Sequence, residues 1–480
     1  MKRLFNLFLA AAVVAAGLSG CAKEPQAGTP EKTNAYVSFT IKFNNDGTKA
    51  DYGDTGNVTV GTDAEHDVKN AYIYFFQNGN YKKTITIPSA DITSATSAGG
   101  NVIKKTTVPT KLDAGTYTVY ATLNYEVTGL TETDTEDAFA QKTYAFNPLT
   151  YDVEVAGVPM SSRASDGTLK AKDVVVSSLN TAENPVQISL EMERVLAKVG
   201  VRKAADYTVY EGRQTEGTAV AVATVKLTAY KPVNLTENAY LYRHTGASAD
   251  ALSFGDLLEN EYVWDPETSV KVTYTNTFPA EVNLANWVNG ADAYTEWATT
   301  EYTHVTYCTE NTMLKENQLL TYATGIAFKA QITPATSKYY ATADDNGGGQ
   351  YSAGGDLWFY HDCFYSSLDV LNAVNEVSFS ANVDDANYYG KYAVKCFKEG
   401  VCYYTYFIKH NDNLKPDELG VMEYGIVRNN DYQVTVTAII ALGDDAPEVD
   451  PEPIETVETF FQATLSVRPW IVRAQDAVLG

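Results

Sequence analysis

The chain has 480 residues, of which 45% are apolar and 20% charged, and its formal net charge at pH 7 is −24. This length exceeds one ordinary hydrophobic core, so we expect two or three domains. An acidic surface repels phosphate backbones, which argues against a nucleic-acid partner and against electrostatic docking on an anionic membrane.

The chain begins with a segment typical of protein export. "MKRLFNLFLAAAVVAAGLSGC" has two basic residues, an apolar run from Leu4 to Leu18 and then small residues before Cys21. It is too short for a stable membrane span and predicts a signal peptide over residues 1–20. "LSGC" resembles the bacterial lipobox, so we expect cleavage before Cys21 and acylation of that cysteine. An ordinary signal peptide with a chance cysteine is the alternative.

The next element is an alternating strand, "AYVSFTIKF" over 35–43, with Val37, Phe39, Ile41 and Phe43 on one face. Further alternating runs follow to residue 440, broken by Gly, Asn, Asp and Pro, and this pattern predicts antiparallel β-sandwiches. The 34 tyrosines also favour strands. Helices are predicted only over 135–146 and 363–377.

The chain divides at a polar break that contains Pro185. We expect a lipidated segment with the first strand over 21–49, an N-terminal β-sandwich over 50–186 and a C-terminal β-sandwich over 187–443. An acidic linker over 444–458 and a terminal strand over 459–480 complete the chain.

No catalytic motif is present in the sequence. It contains no HExxH or GxSxG pattern and no phosphate-binding glycine loop. His361, Asp362 and Cys363 are adjacent, but neighbours on a strand point to opposite faces and do not form a catalytic pair. We therefore predict no enzyme activity, no cofactor and no metal. Aromatic runs such as "YYTYF" and "WFYHDCFYSS" suit a strand core better than a sugar-binding platform.

The four cysteines beyond Cys21 leave the disulfide state open. Three pairings are arithmetically possible, and only Cys396 and Cys402 have a local argument, because they flank a Lys-Glu-Gly turn that would place them opposite each other. Two buried thiols at these positions are an equal alternative. Cys308 and Cys363 carry no prediction.

The first strand is followed by a polar loop that contains Lys49 and Ala50. A basic residue in an exposed loop is a site for trypsin-like proteases, because a loop can adopt the extended conformation they bind. A cut between Lys49 and Ala50 would release the first strand with its lipid. The remaining sandwich would then have an open groove with unpaired backbone groups.

The terminal segment "FFQATLSVRPWIV" is an apolar strand at the end of a polar tether. It either folds back onto its own chain or completes the sheet of a neighbour by strand addition. Burying four to six of its side chains gives on the order of 6–18 kcal/mol before ordering costs. Head-to-tail insertion does not close on itself and yields a filament. The apolar residues concerned are Phe461, Ala463, Leu465 and Val467, then Trp470, Ile471 and Val472 after Pro469.

Several stretches resemble one known family. "RVLAKVGV", "IAFKAQITP", "KCFKEGVCYYTYFI", "GIVRNNDYQVTVTAI" and the closing "LSVRPWIV" look like fimbrillins of the type V pilus (the FimA/Mfa-like major-subunit family), most of all like the shaft subunits of minor fimbria. The resemblance covers both ends and most of the second half, and it is weak between about 50 and 185.

The resemblance implies an all-β fold of two transthyretin-like antiparallel β-sandwich domains with few short helices, plus a C-terminal donor strand. It also implies export to the cell outer membrane, removal of the first strand by a maturation protease, and filaments of identical subunits that meet anchor and tip subunits in a surface fimbrium. The family's cut follows an arginine, whereas Lys49 stands here, so either a trypsin-like or Lys-accepting protease is implied or the cut lies elsewhere. The alternatives are an anchor subunit that keeps its lipid and a surface glycan-binding lipoprotein.

Overall fold

The structure is a computed structural model that describes residues 34–43, 59–96, 102–106, 108–147, 151–163, 173–203, 206–213, 219–246, 262–266, 303–313, 318–319, 321–410, 412–413, 415, 418–420, 422–446 and 461–471. Strands dominate this part of the chain and the helices are short, so the predicted all-β class is confirmed. None of the described helices is long and apolar enough to cross a membrane.

The strands are numbered in chain order. The strands that start before residue 200 are β1 (Asn34–Phe43), β2 (Thr59–Val60), β3 (Asn70–Gln77), β4 (Asn80–Pro88), β5 (Ile92–Thr96), β6 (Val102–Thr106), β7 (Thr110–Asp113), β8 (Gly115–Leu123), β9 (Thr143–Ala145), β10 (Met160–Arg163), β11 (Val174–Val176), β12 (Val186–Arg194) and β13 (Ala197–Lys203). The later strands are β14 (Tyr207–Tyr210), β15 (Ala221–Val233), β16 (Asn238–Tyr240), β17 (His244–Gly246), β18 (Tyr262–Trp264), β19 (Thr303–Cys308), β20 (Gly325–Pro334), β21 (Tyr339–Tyr340), β22 (Leu357–Tyr360), β23 (Cys363–Tyr365), β24 (Lys395–Phe397), β25 (Val401–Phe407), β26 (Asn430–Ile439) and β27 (Phe461–Ile471).

Short helices cap or join these strands. They are α1 (Asp63–His66), α2 (Glu136–Ala140), α3 (Val153–Ala156) and α4 (Leu368–Asn375), with single 3₁₀ turns at Ser89–Asp91, Glu211–Arg213, Thr336–Lys338, Tyr389–Lys391 and Lys398–Gly400.

Both predicted helical stretches are shorter than expected. In 135–146 the helix α2 ends at Ala140 and the chain continues as β9, which pairs with β16. In 363–377 the first residues form β23, and α4 begins only after Ser367, whose hydroxyl accepts a hydrogen bond from the Val370 N–H at 3.2 Å. Such a cap satisfies an otherwise unpaired helix donor, which explains where this helix begins.

One large sheet contains most of the first half of the chain. Its strand order is β4-β3-β8-β10-β12-β1-β6-β5, with β7 also paired to β1 and β11 to β8. The apolar side chains on one face of this sheet form a buried cluster that includes Phe39, Ile73, Val119 and Leu190. A second buried cluster contains Tyr74, Phe76 and Tyr120 of β3 and β8. The chain's first strand therefore lies in the interior of the sheet and contributes to its core.

Two further sheets contain the second half. Their orders are β19-β13-β26-β27-β2 and β14-β15-β20-β25, and they enclose one core, because Val201 and Val434 of the first belong to the same buried cluster as Val225 and Phe328 of the second. A small sheet, β21-β23-β22-β24, lies in the connection between β20 and β25.

The passage between the two halves falls after β12. All of β12 belongs to the large sheet, where it pairs with β1, whereas β13 pairs with β26. The residues between them, Val195 and Leu196, are fully buried. The predicted division at 186/187 therefore falls inside the large sheet: the polar break around Pro185 is a loop of that sheet, tied to β1 by a 2.9 Å bond from the Tyr36 N–H to the Asn180 carbonyl.

Candidate functional site

The first strand has partners on both edges. It runs parallel to β12 from the Val37–Val186 pair to the Phe43–Met192 pair. Along its other edge it runs antiparallel to β7 near its start and to β6 near its end. An interior strand with two hydrogen-bonded edges is normally a permanent part of a sheet, so its loss would leave a gap bounded by two unpaired edges.

The predicted apolar face of β1 is buried. The side chains of Val37, Phe39, Ile41 and Phe43 are 0–3% exposed, and the Phe39 ring lies 6.3 Å from the Phe75 ring, centroid to centroid. At about 1.5–3 kcal/mol for each side chain, these four contribute about 6–12 kcal/mol. We call the space that they and the β1 backbone fill the β1 slot.

Some of the predicted site residues lie outside the described residues. These are Cys21, Lys49, Ala50 and Val472.

The terminal strand β27 lies on its own chain in this structure. It runs antiparallel to β26 from the Ile439–Phe461 pair to the Asn430–Pro469 pair. Val467, Leu465 and Ala463 are paired with Tyr432, Val434 and Val436 of β26, and those three partners are buried. Of the two fates that the sequence left open, the structure has the strand folded back.

Pro469 marks a change of partner along β27. Pairing with β26 ends at Pro469, and the next two residues, Trp470 and Ile471, pair in parallel with Thr59 and Val60 of β2. Proline lacks the N–H that a ladder needs, and it is found at strand ends and edges for that reason. Strand β2 therefore holds the end of the terminal strand that β26 does not reach.

Helix α1, which follows β2, is anchored to the same sheet. Glu65 is 1% exposed, and its Oε1 accepts hydrogen bonds from Lys198 Nζ at 2.9 Å and from the Tyr307 hydroxyl at 2.7 Å. Its Oε2 accepts the Thr62 N–H at 2.7 Å. Because Lys198 lies on β13 and Tyr307 on β19, this carboxylate ties the segment between β1 and β3 to the sheet that holds the terminal strand. Burial raises the pKa of Glu65, but Lys198 and Tyr307 outweigh it and hold the pKa below its ordinary value.

This carboxylate predicts a pH dependence of stability. A lowered pKa in the folded state means that ionised Glu65 stabilises the fold above the ordinary pKa near 4.5 and that this stabilisation is lost as pH falls through the folded pKa. We expect Glu65→Gln to lower the free energy of unfolding at pH 7 by about 1–3 kcal/mol, since it weakens the charged hydrogen bonds that this buried carboxylate accepts from Lys198 and Tyr307. Thermal unfolding measured from pH 7 to pH 3 should show the difference from the unmodified chain shrinking below pH 4.5.

Asp67→Asn provides the matched control. Asp67 forms an exposed 2.6 Å ion pair with Lys69 two residues away, and such pairs contribute about 0–1 kcal/mol. A difference for Glu65→Gln that stays constant down to pH 3 would contradict the role assigned to its charge.

A buried ion pair lies just before β26. Arg428 is fully buried and donates from Nε and Nη2 to the two carboxylate oxygens of Glu310, both at 2.8 Å. It also donates to the carbonyl oxygens of Tyr240 and Leu241. Burial lowers the pKa of Arg428, but Glu310 outweighs it and raises the pKa above the ordinary arginine value. A second buried pair, Arg243 with Glu193 at 2.9 Å, links the end of β12 to this region.

No sequence pattern predicted these groups. Their only sequence signal is a charged residue inside or directly after an apolar run, as for Lys198 in "RVLAKVGV" and Arg428 in "GIVRNND". A charge in such a stretch indicates a buried pair, but the sequence does not show which partner it meets.

The predicted hairpin between Cys396 and Cys402 does not form. Cys396 on β24 pairs with Trp358 and Cys402 on β25 pairs with Ala330, so the two cysteines lie in different sheets, and both are free thiols. Positive φ angles at Glu399 and Gly400 (54° and 68°) redirect the chain between the strands. Burial raises the pKa of Cys402 to about 11, so this thiol stays protonated at neutral pH. Cys396 and Cys402 are therefore two buried thiols, which was the alternative to a disulfide between them.

The aromatic runs pack into cores. Tyr404 of "YYTYF" is buried in the cluster shared by the two later sheets. Trp358 lies edge-on to Tyr389 at 4.9 Å, and both pack against a cluster that includes Leu371 of α4. Among the described residues, no three His, Cys, Asp or Glu side chains are grouped to hold a metal ion.

The fold and this site define an all-β structural protein. Its first described strand lies inside one sheet, and its last described strand lies between β26 and β2 of another. The family model described as "Major fimbrial subunit protein (FimA)" matches residues 35–243, and the model described as "Major fimbrial subunit protein type IV, Fimbrillin, C-terminal" matches residues 395–476. The chain belongs to the fimbrillin family, which is a family of fimbrial structural subunits and not of enzymes. No curated protein matches the chain.

Solved structures resemble the chain along most of its length. A fimbrillin (FimA) from Porphyromonas gingivalis W83 has 16% sequence identity and a TM-score of 0.44, over 92% of this chain and 99% of that chain. The tip fimbrial protein Mfa3 from Porphyromonas gingivalis, with a C-terminal truncation, has 12% identity and a TM-score of 0.38, over 91% of this chain and 100% of that chain.

Proposed function

We propose that this protein is the shaft subunit of a cell-surface fimbrium. In this proposal it is exported to the outer membrane as a lipoprotein acylated on Cys21, is cut between Lys49 and Ala50, and polymerises when its terminal strand fills the β1 slot of the next copy. Anchor and tip subunits would end the filament, and the filament would support adhesion and biofilm formation.

The observation that carries the proposal is the position of β1. This strand is the first described element of the chain, yet it is bonded on both edges and contributes a buried apolar face. A cut between β1 and β2 would free β1 without breaking any other described strand. The emptied slot would expose two strand edges and an apolar groove, which an extended segment with alternating apolar residues can fill.

The terminal strand is suited to move. Backbone hydrogen bonds fix the segment after β26 as far as Asp444, which exchanges two bonds of 2.9 Å with Tyr403. The predicted linker 444–458 then spans at most about 50 Å when extended. This reach is sufficient for β27 to leave β26 and β2 and enter a neighbouring copy without unfolding the sheets behind it.

The shaft role follows from the presence of both ends. A tip subunit needs a slot but no donor strand, and an anchor needs a donor strand but keeps its first strand and its lipid. This chain has a first strand followed by a polar segment that contains Lys49, and a terminal strand preceded by an acidic segment. An anchor subunit is the alternative, and it differs only in processing at Lys49.

N-terminal sequencing of protein sheared from the cell surface tests the processing step. We expect the assembled protein to begin at Ala50, and we expect Lys49→Ala to stay lipidated and unassembled because the processing point is lost. Lys42→Ala is the matched control, since it removes a lysine within the hydrogen-bonded β1 and should leave processing intact. Acylated Cys21 at the start of the assembled chains would instead identify an anchor subunit.

A further inference from the structure

We propose that the terminal strand enters the β1 slot in the direction opposite to β1, with Leu465 at the position of Phe39. This inference rests on the proposed function and adds the direction and register of the joint. In this orientation β27 would run antiparallel to β12, where β1 is parallel, and parallel to β6 and β7, where β1 is antiparallel. The gain on one edge is offset by the loss on the other, so the choice of direction rests on the side chains.

The first and last strands match when one of them is read backwards. Residues 461–469 read "FQATLSVRP", and residues 43 to 35 in reverse order read "FKITFSVYA". Both strands therefore offer the same alternation of buried and outward positions. The identical positions in this alignment are Phe461 with Phe43, Thr464 with Thr40, Ser466 with Ser38 and Val467 with Val37.

Insertion in the same direction as β1 also places Leu465 at Phe39, but it fits poorly at both ends. Phe461 would take the place of Ala35, which is fully buried, and forcing extra bulk into a packed core costs about 1–3 kcal/mol or more. Pro469 would take the place of buried Phe43, and losing a large aromatic side chain costs about 3–5 kcal/mol. The two ends together oppose this direction by about 4–8 kcal/mol.

Insertion in the reverse direction has one main packing cost. Ala463 would stand at the position of Ile41, and an isoleucine-to-alanine loss costs about 2–5 kcal/mol. At the other buried positions Phe461 and Val467 replace identical residues. Pro469 replaces fully buried Ala35, which pairs with Leu112, but it adds less bulk there than Phe461 would. The reverse direction is therefore favoured on packing.

Charge pairing favours insertion in the direction of β1, but by less than packing favours the reverse direction. Inserted in the direction of β1, Arg468 would replace Lys42 and meet Glu191, the residue paired with Lys42 on β12. Inserted in reverse, it would replace Tyr36 and meet Lys111. Cross-strand charge pairs contribute about 0.2–1 kcal/mol, which is smaller than the difference in packing.

Directed disulfide formation between subunits tests the direction. In reverse, Gln462 takes the place of Lys42 beside Glu191, whereas insertion in the direction of β1 brings Arg468 there. These two tail positions are about 20 Å apart along the strand, so a cysteine at position 191 can reach only one of them. One full-length chain carries E191C and Q462C, a second carries E191C and R468C, and a third carries neither change.

Each chain is processed and assembled under reductant, so that fibres are observed by electron microscopy before oxidation. We expect a reducible ladder of covalent multimers from E191C/Q462C and none from E191C/R468C or from the chain without added cysteines. A ladder only from E191C/R468C would overturn the direction and leave strand exchange in place. Fibres that give no ladder from either chain would overturn both the direction and the proposed function.

Discussion

Replacing Leu465 with Asp is expected to abolish fibre growth by the processed protein. In the proposed joint Leu465 stands at the position of Phe39, whose side chain is 1% exposed. Losing the leucine removes about 1.5–3 kcal/mol of apolar burial, and an unpaired carboxylate adds the larger cost of burying a charge. The joint should therefore weaken more than about 100-fold, which fibre yield after mixing of processed monomers measures.

This variant keeps its own slot, and that property separates loss of a donor from loss of folding. A folded Leu465→Asp chain can still accept the terminal strand of an unmodified chain, but nothing can be added beyond it. Small amounts should therefore shorten unmodified fibres by capping them, whereas an unfolded chain would leave their length unchanged. Normal fibres from Leu465→Asp alone would contradict the donor role of this strand.

Thr464→Asp is the matched control for Leu465→Asp, because it introduces the same charge one residue away on the strand. Successive residues of a strand point to opposite faces, and Thr464 would take the place of Thr40, which is only half-buried. We expect this variant to assemble with little change in fibre yield.

Breaking the Arg428–Glu310 pair is expected to destabilise the protein strongly. Either Arg428→Met or Glu310→Leu leaves a fully buried group without the partner that it now meets at 2.8 Å. Removing one partner of a buried ion pair costs about 3–5 kcal/mol. Urea unfolding followed by tyrosine fluorescence should show this loss for each single variant.

The double variant and a surface pair complete this experiment. Arg428→Met combined with Glu310→Leu should cost less than the sum of the two single losses, because no uncompensated charge remains. Lys398→Met breaks an exposed pair with Asp356 and should change the free energy of unfolding by about 1 kcal/mol or less. Additive losses in the double variant would contradict the direct coupling of Arg428 and Glu310.

The period-two pattern located the strands well and their partners poorly. "AYVSFTIKF" predicted β1 and its buried face correctly, because alternation depends only on neighbouring residues. Its parallel pairing with β12 depends on residues some 150 positions away, and the polar break at Pro185 therefore suggested a domain boundary where the structure has a loop. The all-β class follows from composition and alternation, but the order of strands within a sheet does not.

Turn geometry accounts for the incorrect hairpin. The stretch around Lys398–Gly400 has the composition of a turn, which local reasoning connects to two paired strands. The structure instead directs β24 to β22 and β25 to β20, because tertiary contacts decide which edges pair. The buried ion pairs were missed for a related reason: one charged residue in an apolar stretch indicates that a partner exists without identifying it.

Hydrogen exchange of residues 186–190 tests the central proposal most directly, because these residues of β12 pair with β1. We expect slow exchange of the amides bonded to β1 in the uncut monomer, fast exchange once the cut chain has lost β1, and slow exchange again in fibres. Exchange in fibres as fast as in the cut monomer would show that no strand refills the slot, and it would contradict strand exchange between subunits.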